Sequence, residues 1–139
     1  MAFWKRRASR SDDSPPEIDA ADSNDRVGLE YPDLIDTVAL SPQGDVVQFV
    51  IHSDRQWQGT PQMIKLLERK FSTYLKYARS GVFRNEYPQA SGARWQIVWS
   101  YDGKLDRTSE ERVETFIKRC RQSGGDFKLH SVGETWSWS

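Results

Sequence analysis

From Arg94 to Tyr101 the chain reads Arg-Trp-Gln-Ile-Val-Trp-Ser-Tyr, so Trp95, Ile97, Trp99 and Tyr101 alternate with Arg94, Gln96, Val98 and Ser100. Successive side chains of a strand point to opposite faces, which sends the aromatic set to one side of a sheet and the mostly polar set to the other. The pattern predicts a half-buried strand with its aromatic face in the core and its polar face in water. Asp102-Gly103 ends the alternation, and Thr108-Ser109-Glu110-Glu111 then reads as a capping box. The helix it opens buries Val113, Phe116, Ile117 and Cys120 and stops at Gly124-Gly125.

Around this strand the remaining elements fall into place. Residues 34–40 and 45–52 are rich in apolar and β-branched side chains, and Ser41-Pro42-Gln43-Gly44 between them has the chemistry of a tight turn, which predicts a hairpin. Thr60-Pro61 offers a hydroxyl cap and a proline at the first helical position. Met63, Ile64, Leu67, Phe71, Tyr74, Leu75 and Ala78 then recur at steps of three and four, predicting a helix over 61–80 that ends at Gly81. Residues 81–93 read as an irregular connection fastened by Phe83, Tyr87 and Pro88, and 127–132 as a last strand. Right-handed crossovers turn this ββαβαβ order into an α+β two-layer sandwich: a mixed four-stranded sheet, both helices on one face and the other face bare.

A length of 139 residues suits one core. Residues 1–29 are expected to form a disordered leader, because their Ser, Asp and Pro content leaves too little apolar surface to repay ordering, and deleting Met1 to Gly28 is expected to leave stability nearly unchanged. The folded domain is expected over 30–133, followed by a tryptophan-containing tail at 134–139. Basic and acidic residues balance at 20 each and are interspersed, which argues against a surface given over wholly to nucleic acid or an anionic membrane. No apolar run approaches the ~20 residues of a membrane helix, no signal-peptide core follows the basic N-terminus, and the single cysteine fits a reducing compartment, so a cytoplasmic location is expected.

The glycine turn of the hairpin, the approach through Trp57 to a long helix, the tryptophan-rich third strand and the short capped second helix together resemble a small bacterial family of uncharacterised domains, over about residues 33–132. The resemblance implies a compact cytoplasmic bacterial domain. It brings no activity, cofactor or catalytic residue with it.

Chemistry-bearing residues are sparse. Cys120 continues the buried spacing of its helix and reads as a small core residue. His52 and His130 are the only imidazoles and no cysteine pair or acidic loop accompanies them, so neither a metal site nor a cofactor is expected. His52 with Asp54, at a strand end, could act as base and orienter. Asp33, Asp36, Asp45, Asp54 and Asp102 lie where turns and caps use aspartate. On the first helix Gln62, Lys65, Arg69, Ser72, Lys76 and Arg79 form a basic ridge opposite the apolar stripe, with Glu68 the helix's only acid. Trp136 and Trp138 lie past the last strand, either as interface anchors or folded back over the bare sheet face. The reading is a non-enzymatic protein-interaction module that meets an unknown partner of acidic character through Lys65, Arg69, Lys76 and Arg79, through a loop bearing Trp57, or through Trp136 and Trp138. The alternative is a small enzyme built on His52 and Asp54, and a third reading is a nucleic-acid accessory protein using the first helix. Oligomeric state stays open.

Overall fold

The computed structural model describes residues 28–138 and the backbone of residues 2–5. Five strands form one mixed sheet in the order β1 (Ala2–Lys5), β2 (Thr37–Leu40), β3 (Val46–Trp57), β4 (Arg94–Gly103), β5 (Asp126–Ser131). The first two pairings are antiparallel and the last two parallel. The sheet therefore has five strands where four are expected. The extra one comes from the stretch read as leader, whose residues 6–27 lie outside the described residues. The helices are α1 (Pro61–Ser80), α2 (Phe83–Glu86) and α3 (Arg107–Gln122), with a 3-10 turn at Pro88–Ala90. The connection at 81–93 is thus more regular than its sequence indicates, and Phe83 within it is buried edge-on against Phe49, ring centroids 5.1 Å apart.

Local chemistry accounts for most boundaries. Gly44 N–H donates to the Ser41 carbonyl at 2.9 Å, closing the hairpin turn, while Ser41 Oγ accepts from Asp45 N and Val46 N at 3.1 Å each. Thr60 Oγ1 accepts from Met63 N at 3.1 Å, and Gly81 at φ +74° ends α1 in the left-handed region that glycine enters freely. For α3 the expectation needs correction. Asp106 is its N-cap, accepting from Ser109 N, and the helix begins at Arg107, one residue before the anticipated cap Thr108. Ser109 lies inside the first turn, where its buried hydroxyl donates to Asp106 and accepts from Trp57 Nε1 at 3.0 Å.

The alternation of β4 does define the core. Trp95, Ile97 and Trp99 join Val47, Phe49 and Ile51 of β3, Leu67, Phe71 and Leu75 of α1, and Val113, Phe116 and Cys120 of α3 in one buried cluster. Phe71 stacks on Phe116 at 4.1 Å, and Trp57 meets Trp99 edge-on at 4.7 Å. Full burial of one such side chain contributes on the order of 1.5–3 kcal/mol. Cys120 lies within this cluster, and burial pushes its thiol up to about 12. The thiolate is the reactive form. Iodoacetamide at pH 8 should therefore leave Cys120 unmodified in the native chain and alkylate it promptly in denaturant. Comparable rates in both states would show that the thiol is exposed.

One member of the α1 stripe is charged. Lys70 lies three residues after Leu67 and four before Tyr74 and is completely buried. Its Nζ donates to Asp36 Oδ1 at 2.7 Å and to the carbonyls of Gly28 at 2.9 Å and Tyr31 at 2.8 Å, so all three ammonium donors have acceptors. Asp36 Oδ2 accepts from His52 N at 3.1 Å, Asp36 N donates to Tyr74 Oη at 2.7 Å, and Tyr74 O–H donates to the Val50 carbonyl at 2.6 Å. Burial raises the Asp36 carboxyl above its usual range, with the Lys70 charge pulling it back, and burial raises the Tyr74 phenol as well. The network ties α1 to the chain segment entering β2 and to the middle of β3.

Candidate functional site

The outer face of α1 carries the predicted basic ridge. Gln62, Lys65, Arg69, Ser72, Lys76 and Arg79 are all exposed, because the stripe on the opposite side of the helix is consumed by the core. Glu68 lies to one side of them, paired with Arg112 of α3 at 2.9 Å. Arg69 makes a long, exposed contact of 3.5 Å with Asp33, and among the described residues Lys65, Lys76 and Arg79 form no ion pair. Lys65 and Arg69 are i,i+4 neighbours and Lys76 and Arg79 are i,i+3 neighbours, spacings at which like charges repel.

The sheet face opposite the helices is the second surface. In register across β3, β4 and β5, His52 aligns with Ser100 and Ser100 with His130, while Gln48 aligns with Gln96 four residues earlier. This face is not bare. Residues after Val132 turn back across it: Trp136 Nε1 donates to Gln48 Oε1 at 2.9 Å, and Gln48 Nε2 donates to the Ser137 carbonyl at 3.0 Å and to Gln96 Oε1 at 2.9 Å. Lys128 Nζ also reaches the Ser137 carbonyl at 3.3 Å, and burial holds this ammonium below its usual pKa. Covered in this way, Gln48 and Gln96 are 0% and 4% exposed, which corrects the expectation that the polar side of β4 faces water.

His130 is held between the two layers of this arrangement. Its Nε2 lies 3.1 Å from the Glu134 carbonyl, which can only accept, so Nε2 carries a proton. Nδ1, 3.0 Å from Ser100 Oγ, accepts from the serine hydroxyl when the ring is neutral. The ring packs against Trp136 at 4.6 Å, and Trp136 against Trp138 at 6.4 Å. Between the turn and β5 remains a pocket of about 540 Å³ lined by Val98, Lys128, His130, Glu134 and Trp136 among others.

The other sequence candidates fall elsewhere. Trp57 is on no loop: β3 continues to it through a bulge between His52 and Gln56, and the indole is 3% exposed in the core. His52 Nε2 lies 3.0 Å from Thr37 Oγ1, and the Asp54 side chain lies outside the described residues. Asp45 serves the hairpin turn, where Ser41 Oγ donates to it at 2.7 Å and lowers its pKa. Among the described residues no three His, Cys, Asp or Glu side chains are grouped to hold a metal ion, and no helix is long and apolar enough to cross a membrane. Sequence reasoning missed the Lys70–Asp36 pair and the Ser100–His130 pair. The first had a signal in Lys70's place within the apolar stripe; the second depends on a register that only the assembled sheet defines.

No curated protein and no solved structure matches the chain. A family model does match, over residues 28–132, a span that takes in β2 to β5 and the three described helices and ends just before the tail. On that match the chain belongs to DUF6572, a family of unknown function.

Proposed function

We propose that this chain is a non-enzymatic protein-interaction module of the cytoplasm, a two-layer α+β domain over about residues 30–133 that meets an acidic partner protein through the outer face of α1. The observation that carries the reading is the division of charge on that helix. Its one acid, Glu68, is spent on Arg112 of α3, while Lys65, Arg69, Lys76 and Arg79 stay exposed along about 21 Å of helix at 1.5 Å per residue. Repulsion between neighbouring cations is relieved when carboxylates of a partner lie between them. The lone buried thiol supports a reducing compartment.

The test reverses the ridge. Changing Lys65, Arg69 and Lys76 together to glutamate should leave the thermal midpoint close to wild type, since exposed substitutions seldom cost much. The same change should abolish capture of the partner that co-purifies with the unaltered chain. Wild-type capture should weaken steeply as salt rises, as screened charge pairs do. Capture that survives both treatments would remove the ridge from the interface, and capture lost on nuclease treatment would favour the nucleic-acid reading.

A further inference from the structure

The segment lying on the polar sheet face is bound there like a ligand. Three of its contacts use main-chain carbonyls: Glu134 O with His130 Nε2 at 3.1 Å, and Ser137 O with Gln48 Nε2 at 3.0 Å and Lys128 Nζ at 3.3 Å. Lys128 Nζ also donates to Ser137 Oγ at 3.2 Å, and one indole N–H, from Trp136, donates to Gln48 Oε1 at 2.9 Å, with the ring packed against His130. Most of what the face contacts is therefore main chain and one tryptophan, with the Ser137 hydroxyl beside them, features that an extended segment bearing a Trp-Ser pair presents. The recognising groups, Gln48, Lys128 and His130, lie within the span of the family match, whereas the segment they hold begins beyond it.

From this division we infer that the face formed by Gln48, Gln96, Lys128 and His130 is a docking site for an extended tryptophan-bearing segment of a partner polypeptide, and that residues 133–138 are its intramolecular occupant. Tethered to β5 by a short turn, the tail competes at an effective concentration on the order of millimolar, so a partner segment must bind well or arrive when the tail is displaced. The site is therefore self-occluded, and access to it is set by the tail. This surface stands apart from the ridge on α1, and either can fail without the other.

The experiment uses the full chain and, as probe, a fluorescein-labelled synthetic peptide of sequence Gly-Glu-Thr-Trp-Ser-Trp-Ser. Fluorescence anisotropy should show it binding the Trp136→Ala variant at least about tenfold more tightly than the wild type, because the variant's own tail has lost its anchor. Adding Lys128→Ala should take that gain away, and a peptide with its first tryptophan replaced by alanine should not bind either. The Lys65, Arg69, Lys76 to glutamate variant should bind the peptide as the wild type does. As a measurement that needs no variant, millimolar unlabelled peptide added to the wild-type chain should shift the side-chain amide resonances of Gln48 and Gln96. Equal affinity for Trp136→Ala and wild type, or unmoved amide resonances at the highest peptide concentration, overturns the inference.

Discussion

Replacing Lys70 by methionine should lower the unfolding free energy by about 3–5 kcal/mol, the loss expected when one partner of a buried ion pair is removed and the other is left uncompensated. Methionine fills much of the volume, so the loss reports polarity more than a cavity. Asp36 would keep its N–H donors from His52 and Gly28 but lose the ammonium paired with it, and the Gly28 and Tyr31 carbonyls would lose their shared donor. Asp36→Asn in the same background should recover part of the loss, because a neutral amide no longer needs the ammonium. Urea denaturation of the two single variants and the double variant measures this directly as a coupling energy. Additive losses would mean that the pair contributes nothing as a pair. The acceptor set also means that the segment around Gly28 to Tyr31 should loosen, visible as faster amide exchange at Tyr31 and Leu34, whose N–H groups close local turns onto Gly28 and Tyr31.

Trp99→Ala should cost a comparable ~3–5 kcal/mol, for a different reason. Trp99 is fully buried, edge-on to Trp57 and 5.0 Å from the Tyr101 ring, so alanine leaves a void where helices and sheet meet. Its indole nitrogen has no hydrogen-bond partner among the described residues. Trp99→Phe should therefore be much milder than alanine, since it removes an unsatisfied donor along with part of the ring. At Trp57 the order differs. Its Nε1 donates to Ser109 Oγ, so Trp57→Phe sacrifices a bond that ties β3 to the first turn of α3. Thermal denaturation of both phenylalanine variants should rank Trp57→Phe as the more damaging, and the reverse ranking would contradict the assignment of these contacts.

The elements were legible where one physical signal dominated. Period-two alternation marked β4, a hydroxyl and a proline marked the start of α1, and glycine marked its end. Elements whose pairing partners supply the stabilisation were not. Ala2–Lys5 is too short for alternation to register and gains its strand character from pairing with Thr37–Leu40. β3 runs past His52 through Ser53-Asp54-Arg55-Gln56, a polar stretch that reads as loop until β4 is seen beside it. The α3 cap was misplaced because Thr108-Ser109-Glu110-Glu111 has the pattern of a capping box, whereas the geometry gives the cap to Asp106, two residues earlier. The basic ridge was legible, since exposure follows from helical period alone. The coverage of the polar sheet face was legible only as one of two readings of Trp136 and Trp138: Trp136 and Gln48 are far apart in sequence, and no local pattern says that they meet.

The reading of α1 as an interface is tested most directly by proximity. A photo-crosslinking benzoylphenylalanine at Ser72, an exposed position midway along the ridge, should yield a discrete adduct with one partner protein when the full chain is irradiated in its native extract. The adduct should disappear when Lys65, Arg69 and Lys76 are changed to glutamate, and the same photo-crosslinker at Glu114, exposed on α3, should give none. No adduct from Ser72, or the same adducts from Ser72 and Glu114, would contradict the account and leave the ridge as a solvated helix face.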